Sequence, residues 1–276
     1  SKKTHKKITK AEEVKLPKGA VIGGEVRNIE EVAQALRLLW KEGKFSKGNI
    51  RVGVTGDNTI VRQVQLPWEP PNVFRGALPL RLGNELPVDP FEVSLDYYPL
   101  EEKVIKNILM QDALVVGVLN ATIDRAERAA KEAKLMVRKA DYDPFALLRS
   151  AQYLRDVKIE SIENEAQMEQ GQVVVSVGSQ VTEVVVHQGG KPLFVRTTVV
   201  GSEAVTKALS EKLHIPWDSA EKLKCDLGLE DLGSAIDVEN IAREYGVHPK
   251  LIGPAREIIN HMASALVQNV RDTVEY

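Results

Sequence analysis

Between Val173 and Thr197 the chain is built almost wholly of short apolar runs and tight turns, and no other stretch narrows the fold as far. Val173–Val177, Thr182–His187 and Leu193–Thr197 are rich in β-branched residues, and Gly178-Ser179-Gln180 and Gln188-Gly189-Gly190 separate them. Runs of this length joined by turns this short predict three strands, each paired with its sequence neighbour. Helical periodicity then takes over. Helices are predicted at Glu203–Leu213, Ser219–Leu227 and Val238–Tyr245, with a long one from Pro249 or Pro254 to Tyr276.

The upstream half mixes both periods. Asn28 to Glu42 reads as a helix with Val32, Ala35, Leu36, Leu39 and Trp40 on one face, Asn28 as cap and Gly43 as stop. Ile50, Val52 and Val54 alternate, as do Ile60, Val64 and Leu66 beyond Gly56-Asp57-Asn58, and together they predict a hairpin. Asn72 to Glu85 is helical in pattern with Pro79 as a break or bend. Val93–Tyr98 is a strand, and the mixed polar residues 101–111 read as a loop. Ala113–Leu119 is an unbroken apolar run, the mark of a strand covered on both faces. It opens a βαβα series: an Ala-rich helix Thr122–Lys134, a strand Leu135–Lys139, and a helix opened by Asp143-Pro144. Residues 156–171, rich in Glu and Gln, read as a connector. The theme of strands feeding covered helices occurs twice, which predicts two related halves.

Composition excludes several functions. With 37 Lys+Arg against 39 Asp+Glu the net charge is -2, so the chain is not built to coat nucleic acid. A single cysteine, Cys225, supplies neither a disulfide framework nor a multi-cysteine zinc site, and the five histidines are scattered. A reducing compartment fits, and no catalytic residue or metal ligand set is predicted. The longest apolar stretch falls far short of the ~20 residues that span a bilayer. Five lysines among the first ten residues predict a flexible, solvated basic end over residues 1–15.

Three local features carry chemistry, each beside an ordinary alternative. The turn within Ser176–Thr182 has Gly178, Ser179 and Gln180 at its tip. Such a tip either turns backbone N–H groups toward a phosphate or is a plain hairpin end. Gly201-Ser202-Glu203 opens a helix, so Ser202 is a cap, at an end that favours anions. Glu221 and Lys224 share a helix face. They either bracket a ribose and base or form a solvated pair, and Asp218 with Glu221 has capping-box spacing.

The order of the segments is more specific than any one of them. Leu16-Pro17-Lys18-Gly19-Ala20-Val21-Ile22-Gly23-Gly24-Glu25-Val26 precedes Val32–Trp40. Then come Val61-Arg62-Gln63-Val64-Gln65-Leu66-Pro67, Ala77-Leu78-Pro79, Glu85-Leu86-Pro87-Val88 and Leu95-Asp96-Tyr97-Tyr98-Pro99-Leu100. Asp143-Pro144-Phe145-Ala146-Leu147-Leu148-Arg149 and Ala220-Glu221-Lys222-Leu223-Lys224 complete the series. In this order and spacing, from Leu16 to Tyr276, the chain resembles the PilM family of actin-like type IV pilus assembly proteins, in the style of its Gram-positive members.

The resemblance implies an α/β, actin-like (ribonuclease H-like) fold of two lobes, related to the division protein FtsA. Residues 16–134 would form a first lobe carrying an α+β insert of the SHS2 type, and 135–276 the second, with a helical subdomain at about 203–250. It implies a cytoplasmic scaffold, peripheral at the membrane through the cytoplasmic tail of a PilN-like inner membrane protein. Contacts with the pilus motor ATPase and platform protein, and self-association, come with the same resemblance. ATP or ADP with Mg²⁺ would bind between the lobes. Ser176, Gly178, Ser179, Gln180 and Thr182 match the second phosphate loop. Gly201, Ser202 and Glu203 match the turn beside the nucleotide, and Glu221 and Lys224 the pair near ribose and base. The phosphate loop usually opens with a metal-orienting Asp, where this chain has Ser176. The Asp-Ile-Gly loop expected before Leu16 and the glycine-rich adenosine loop expected after the last helix are absent from the 276 residues, so the first and last sheet segments are expected to be missing. Hydrolysis is therefore not expected. An active actin-family ATPase is the alternative, and an FtsA-like division module a further one.

Overall fold

The apolar run at Ala113–Leu119 does what its lack of alternation requires. In the computed structural model, which describes residues 8–46, 48–56, 58–83, 85–159, 171–229, 241–243 and 247–275 (152–159 as backbone only), it belongs to β6 (Ile108–Leu119). This strand is the centre of an antiparallel sheet, between β4 (Thr59–Pro67) and β5 (Val93–Ile105). Ala113 and Val115 point into a core with Val64, Phe74, Leu78 and Leu82. Leu114 and Val116 point the other way, into a core with Tyr142, Leu148, Val185 and Val195. One strand serves two cores, so neither of its faces is free to be polar.

Helix α2 (Pro71–Arg81) covers the first face, its Phe74 ring 4.4 Å from that of Tyr97. Pro79 lies inside it, and the helix ends at Arg81 rather than reaching Glu85. Residues 101–111 are not a loop. They are the outer half of a β5–β6 hairpin, turned at Lys106-Asn107 with φ of 50° and 66°. The turn is of the mirror-image type that suits strand twist, and Asn tolerates it. The segment is polar because that end of the ribbon stands in solvent, where Lys103 pairs with Asp112 at 2.9 Å and Glu101 at 3.0 Å.

The expected hairpin across Gly56-Asp57-Asn58 is also overturned. Strand β3 (Asn49–Val54) runs parallel to β7 (Met136–Tyr142), while β4 joins the other sheet. The cause is packing. Ile50 sits against Ala133, Leu135 and Val137, and Gly53 lies so close to the Asp143 carboxylate that a Cβ there would overlap it. Around this pair, α1 (Ile29–Glu42) packs on α3 (Asn120–Glu132) through Ala33, Ala129 and Ala130, small residues that allow close approach. Asn28 caps α1, accepting from the Glu31 N–H at 3.2 Å. A short hairpin, β1 (Val21–Ile22) and β2 (Glu25–Val26), precedes it.

Helix α4 (Asp143–Ile159) leads to the predicted meander. Its strands are β8 (Gly171–Val177), β9 (Thr182–Gln188) and β10 (Lys191–Thr198), in the order β10-β9-β8. Helices α5 (Glu203–Leu213), α6 (Trp217–Leu227) and α7 (Ile252–Val274) share a core of Leu209, Leu223, Leu227, Ile252, Ala255 and Ile259. The helix expected at Val238–Tyr245 lies mostly outside the described residues; Ile241–Arg243 is helical. The expected connector at 156–171 is helical to Ile159 and otherwise outside them.

Candidate functional site

The β8–β9 turn is built by close backbone approach. The Gly178 N–H donates to the Val181 carbonyl at 2.8 Å, closing the turn. The Gly178 and Ser179 carbonyls then accept from the N–H groups of Ser202 and Glu203, at 2.9 and 2.8 Å, docking the turn on the start of α5. Gly201 makes this possible, since a Cβ there would stand 2.5 Å from the Gly178 oxygen. Ser202 sits at the cap position without a capping side-chain bond, a correction to its expected role. The Glu203 N–H is engaged by the turn and those of Ala204 and Val205 by the Gly201 and Ser202 carbonyls, both at 3.1 Å, so the helix end is not an open anion site.

This docked turn forms one wall of a cleft of about 860 Å³. Ser176, Gly178, Ser179, Gln180, Glu203 and Glu221 all line it. Gln180 also reaches across to the β1–β2 turn, accepting from the Gly23 N–H at 2.8 Å. Among the described residues the N–H groups of Ser179 and Gln180 find no acceptor, which suits an anion at the turn. Thr182 is set apart: it is buried, and its hydroxyl donates to the Val200 carbonyl at 2.6 Å.

Glu221 and Lys224 are held together on α6. The Lys224 ammonium is 2.7 Å from Glu221 Oε2, and also donates to Thr206 Oγ1 at 3.0 Å and the Ser202 carbonyl at 3.4 Å. Burial alone would raise the Glu221 carboxyl, but hydrogen bonds from Lys224 and Thr206 and the Lys224 charge outweigh it and hold it below the ordinary range. The capping-box alternative fails, because α6 begins at Trp217 after Pro216, and Glu221 is occupied by Thr206 and Lys224.

Further cleft residues were not singled out from sequence. Glu183, on β9, is buried and accepts from the Thr55 hydroxyl at 2.6 Å. Burial pushes its carboxyl above the ordinary range and the nearby Asp143 charge adds to this, while the Thr55 bond opposes it. Asp143, at the start of α4, is raised by burial and by Asp141. Both line the cleft with Thr55, Trp217 and Asp218. A charged residue inside an apolar strand was the available signal for Glu183. Asp143 read only as the opening of a helix. The stretch Val14–Gly19 lines the cleft as well.

The fit to a nucleotide is good in size and at the turn. It is poorer for a metal: Ser176 offers a neutral hydroxyl, and the described residues hold no cluster of three or more His, Cys, Asp or Glu able to bind one. No described helix is long and apolar enough to cross a membrane.

Residues 1–235 match the family described as type IV pilus assembly protein PilM. Among solved structures, the chain is similar to one of a PilM-PilN type IV pilus biogenesis complex, at 22% identity and a TM-score of 0.72 over 94% of this chain. That match spans 67% of the other chain. Fainter likenesses are to MreB5 of Spiroplasma citri bound to ADP (12% identity, TM-score 0.49, 92% of this chain and 60% of that one) and to the ethanolamine utilization protein EutJ from Carboxydothermus hydrogenoformans (14%, 0.43, 91% and 60%).

Proposed function

The chain belongs to the family of the type IV pilus assembly protein PilM, with its actin-like α/β fold, and from that premise we propose a scaffold that grips the cytoplasmic tail of a PilN-like inner membrane protein, with the cleft taking ATP or ADP as a regulator. The observation that carries the partner reading is the fold shared with a chain solved in a PilM-PilN complex. Extended tails bind by strand addition or in a groove, main-chain hydrogen bonds giving affinity and pockets giving register. The scaffold works at the cytoplasmic face of the membrane through this partner, where it can meet the motor ATPase and platform protein or a second copy of itself. Residues 16–134 form the lobe with the SHS2-type insert in this reading, and 135–276 the second lobe.

The nucleotide part is supported by the convergence of Ser176, Gly178, Ser179, Gln180, Glu203 and Glu221 on one cleft, with Gly201, Ser202 and Lys224 directly behind them. The turn would receive phosphate, and Glu221 with Lys224 the ribose and base. Bound Mg²⁺ would supply charge neutralisation of the phosphates. Phosphoryl transfer also needs a positioned water and a firmly held metal. With the neutral Ser176 where the loop usually carries a metal-orienting Asp, the site favours binding over turnover.

Calorimetric titration with a peptide of the PilN-like tail tests the scaffold. Saturable binding at micromolar concentrations is expected, and its absence at high micromolar protein overturns the reading. A parallel titration with MgATP tests the cleft, and Ser176→Asp should tighten Mg-dependent binding.

A further inference from the structure

We propose that the segment Val14–Gly19 is a strap across the mouth of the cleft, latched to α6 by Lys18 on Trp217, and that a ligand enters when the strap lifts. The ligand's identity rests on the nucleotide reading above; the strap itself does not.

The segment has neither strand nor helix up to its last residues, and most of its side chains are exposed, yet it is fixed at both ends. Before it, the Lys10 ammonium donates to the Lys44 carbonyl of the first lobe at 2.7 Å. After it, Ala20 is fully buried and its carbonyl accepts from the N–H groups of Arg27 and Asn28 at 2.8 and 3.1 Å. Between these anchors the chain reaches over to the helical region. The Lys18 ammonium stands 4.4 Å from the centroid of the Trp217 ring, and Lys15 is 3.7 Å from the Asp218 carboxylate. The strap thus ties the first lobe to α6, the helix that carries Glu221 and Lys224.

Charge explains why a basic segment rests there. Asp143, Glu183, Glu203, Asp218 and Glu221 give the cleft five carboxylates, and the strap brings Lys15 and Lys18 to its rim. A cationic strap suits that field better than a bare polyanion does. Cation–π and exposed ion pairs are both modest in water, so the latch opens without unfolding anything and one substitution shifts it.

Lys18→Ala removes both the cation and the methylenes that carry it over the Trp217 ring, at an exposed position. In the full chain, acrylamide quenching of tryptophan is measured with and without the substitution, and Trp217→Leu identifies the share due to Trp217. MgATP affinity is measured on the same proteins. Breaking the latch should raise the Trp217 quenching constant about twofold and tighten MgATP about three- to tenfold, as removal of a closed state predicts. Lys18→Arg, which still stacks, should restore both. An unchanged quenching constant in Lys18→Ala overturns the strap. So does weaker MgATP binding, which would make Lys18 a ligand contact instead. If MgATP binds neither protein while quenching rises, the strap stands and the nucleotide reading falls.

Discussion

Two buried glutamates show how differently the β2–α3 contact and the cleft treat charge. Glu25 on β2 is 2% exposed, and it is enclosed by Asn58, by the Thr122 hydroxyl at 3.0 Å, by Arg27 at 3.0 Å and by Arg125 at 3.2 Å. Burial alone would raise its carboxyl, but hydrogen bonds from Asn58 and Thr122 and the charges of Arg125 and Arg27 outweigh it and hold it low. Glu183 is 8% exposed with the Thr55 hydroxyl as its hydrogen-bond donor, faces a second carboxylate in Asp143, and is held high by burial. The first is a structural fastener, a carboxylate held by two guanidinium groups and two neutral hydrogen-bond donors. The second is a charge left under-compensated beside an open cleft, and such sites are where ligands and function gather.

The comparison breaks most sharply at Glu25. Glu25→Gln leaves Arg125 and Arg27 without their carboxylate and should cost about 3 kcal/mol in urea unfolding. Because the folded carboxyl lies below its ordinary value, this stability is present above the ordinary carboxylate range and is lost as pH falls through it toward the folded value. A loss under about 1 kcal/mol would make the network ornamental.

Next in size is Gly201→Ala, which forces the β8–β9 turn off the start of α5. A destabilisation of about 2 kcal/mol is expected, with slack in the cleft wall read as faster amide exchange at Ser202 and Glu203. If the turn stays docked, its geometry does not depend on the glycine.

Glu183→Gln should run opposite to Glu25→Gln. The amide oxygen still accepts from Thr55, while the cost of a charge is removed, so the protein should gain about 1 kcal/mol at neutral pH. A raised carboxyl loses stability as pH climbs from the ordinary range through the folded value, so the gain should vanish in acid. Stability curves of the two proteins that stay parallel across pH would refute the assignment. The smallest effect belongs to Asp141→Asn. It gives up the pair with Arg149, a change of about 0.5 kcal/mol, and removes the like charge that helps to raise Asp143. A downward shift of the Asp143 titration by NMR is the expected reading.

What was legible in the chain follows the range of the interactions concerned. The meander at Val173–Thr197 needed only neighbours in sequence, so turns and alternation predicted it, and α5 was bounded by the same local signals. The alternation at Ile50–Val54 was equally clear, and its partner was still misjudged. Periodicity reports which face is buried, not which strand lies alongside. The polar run 101–111 misled for a related reason: a ribbon exposed on both faces has no apolar period to read. At the cleft, the turn and Glu221 carried sequence signals, whereas Asp143 and Glu183 became partners across the fold.

By itself the sequence determined most of the helices, the meander, the turn at Gly178–Gln180 and the order of segments that marks the family, because propensity, capping and turn geometry act within a few residues. Only the tertiary structure decided that β3 lies beside β7, that Asp143 and Glu183 share a cleft, and that Lys18 rests on Trp217. Those outcomes depend on burial and charge between residues tens to hundreds of positions apart, and the free energy of such contacts exists only once packing has brought them together.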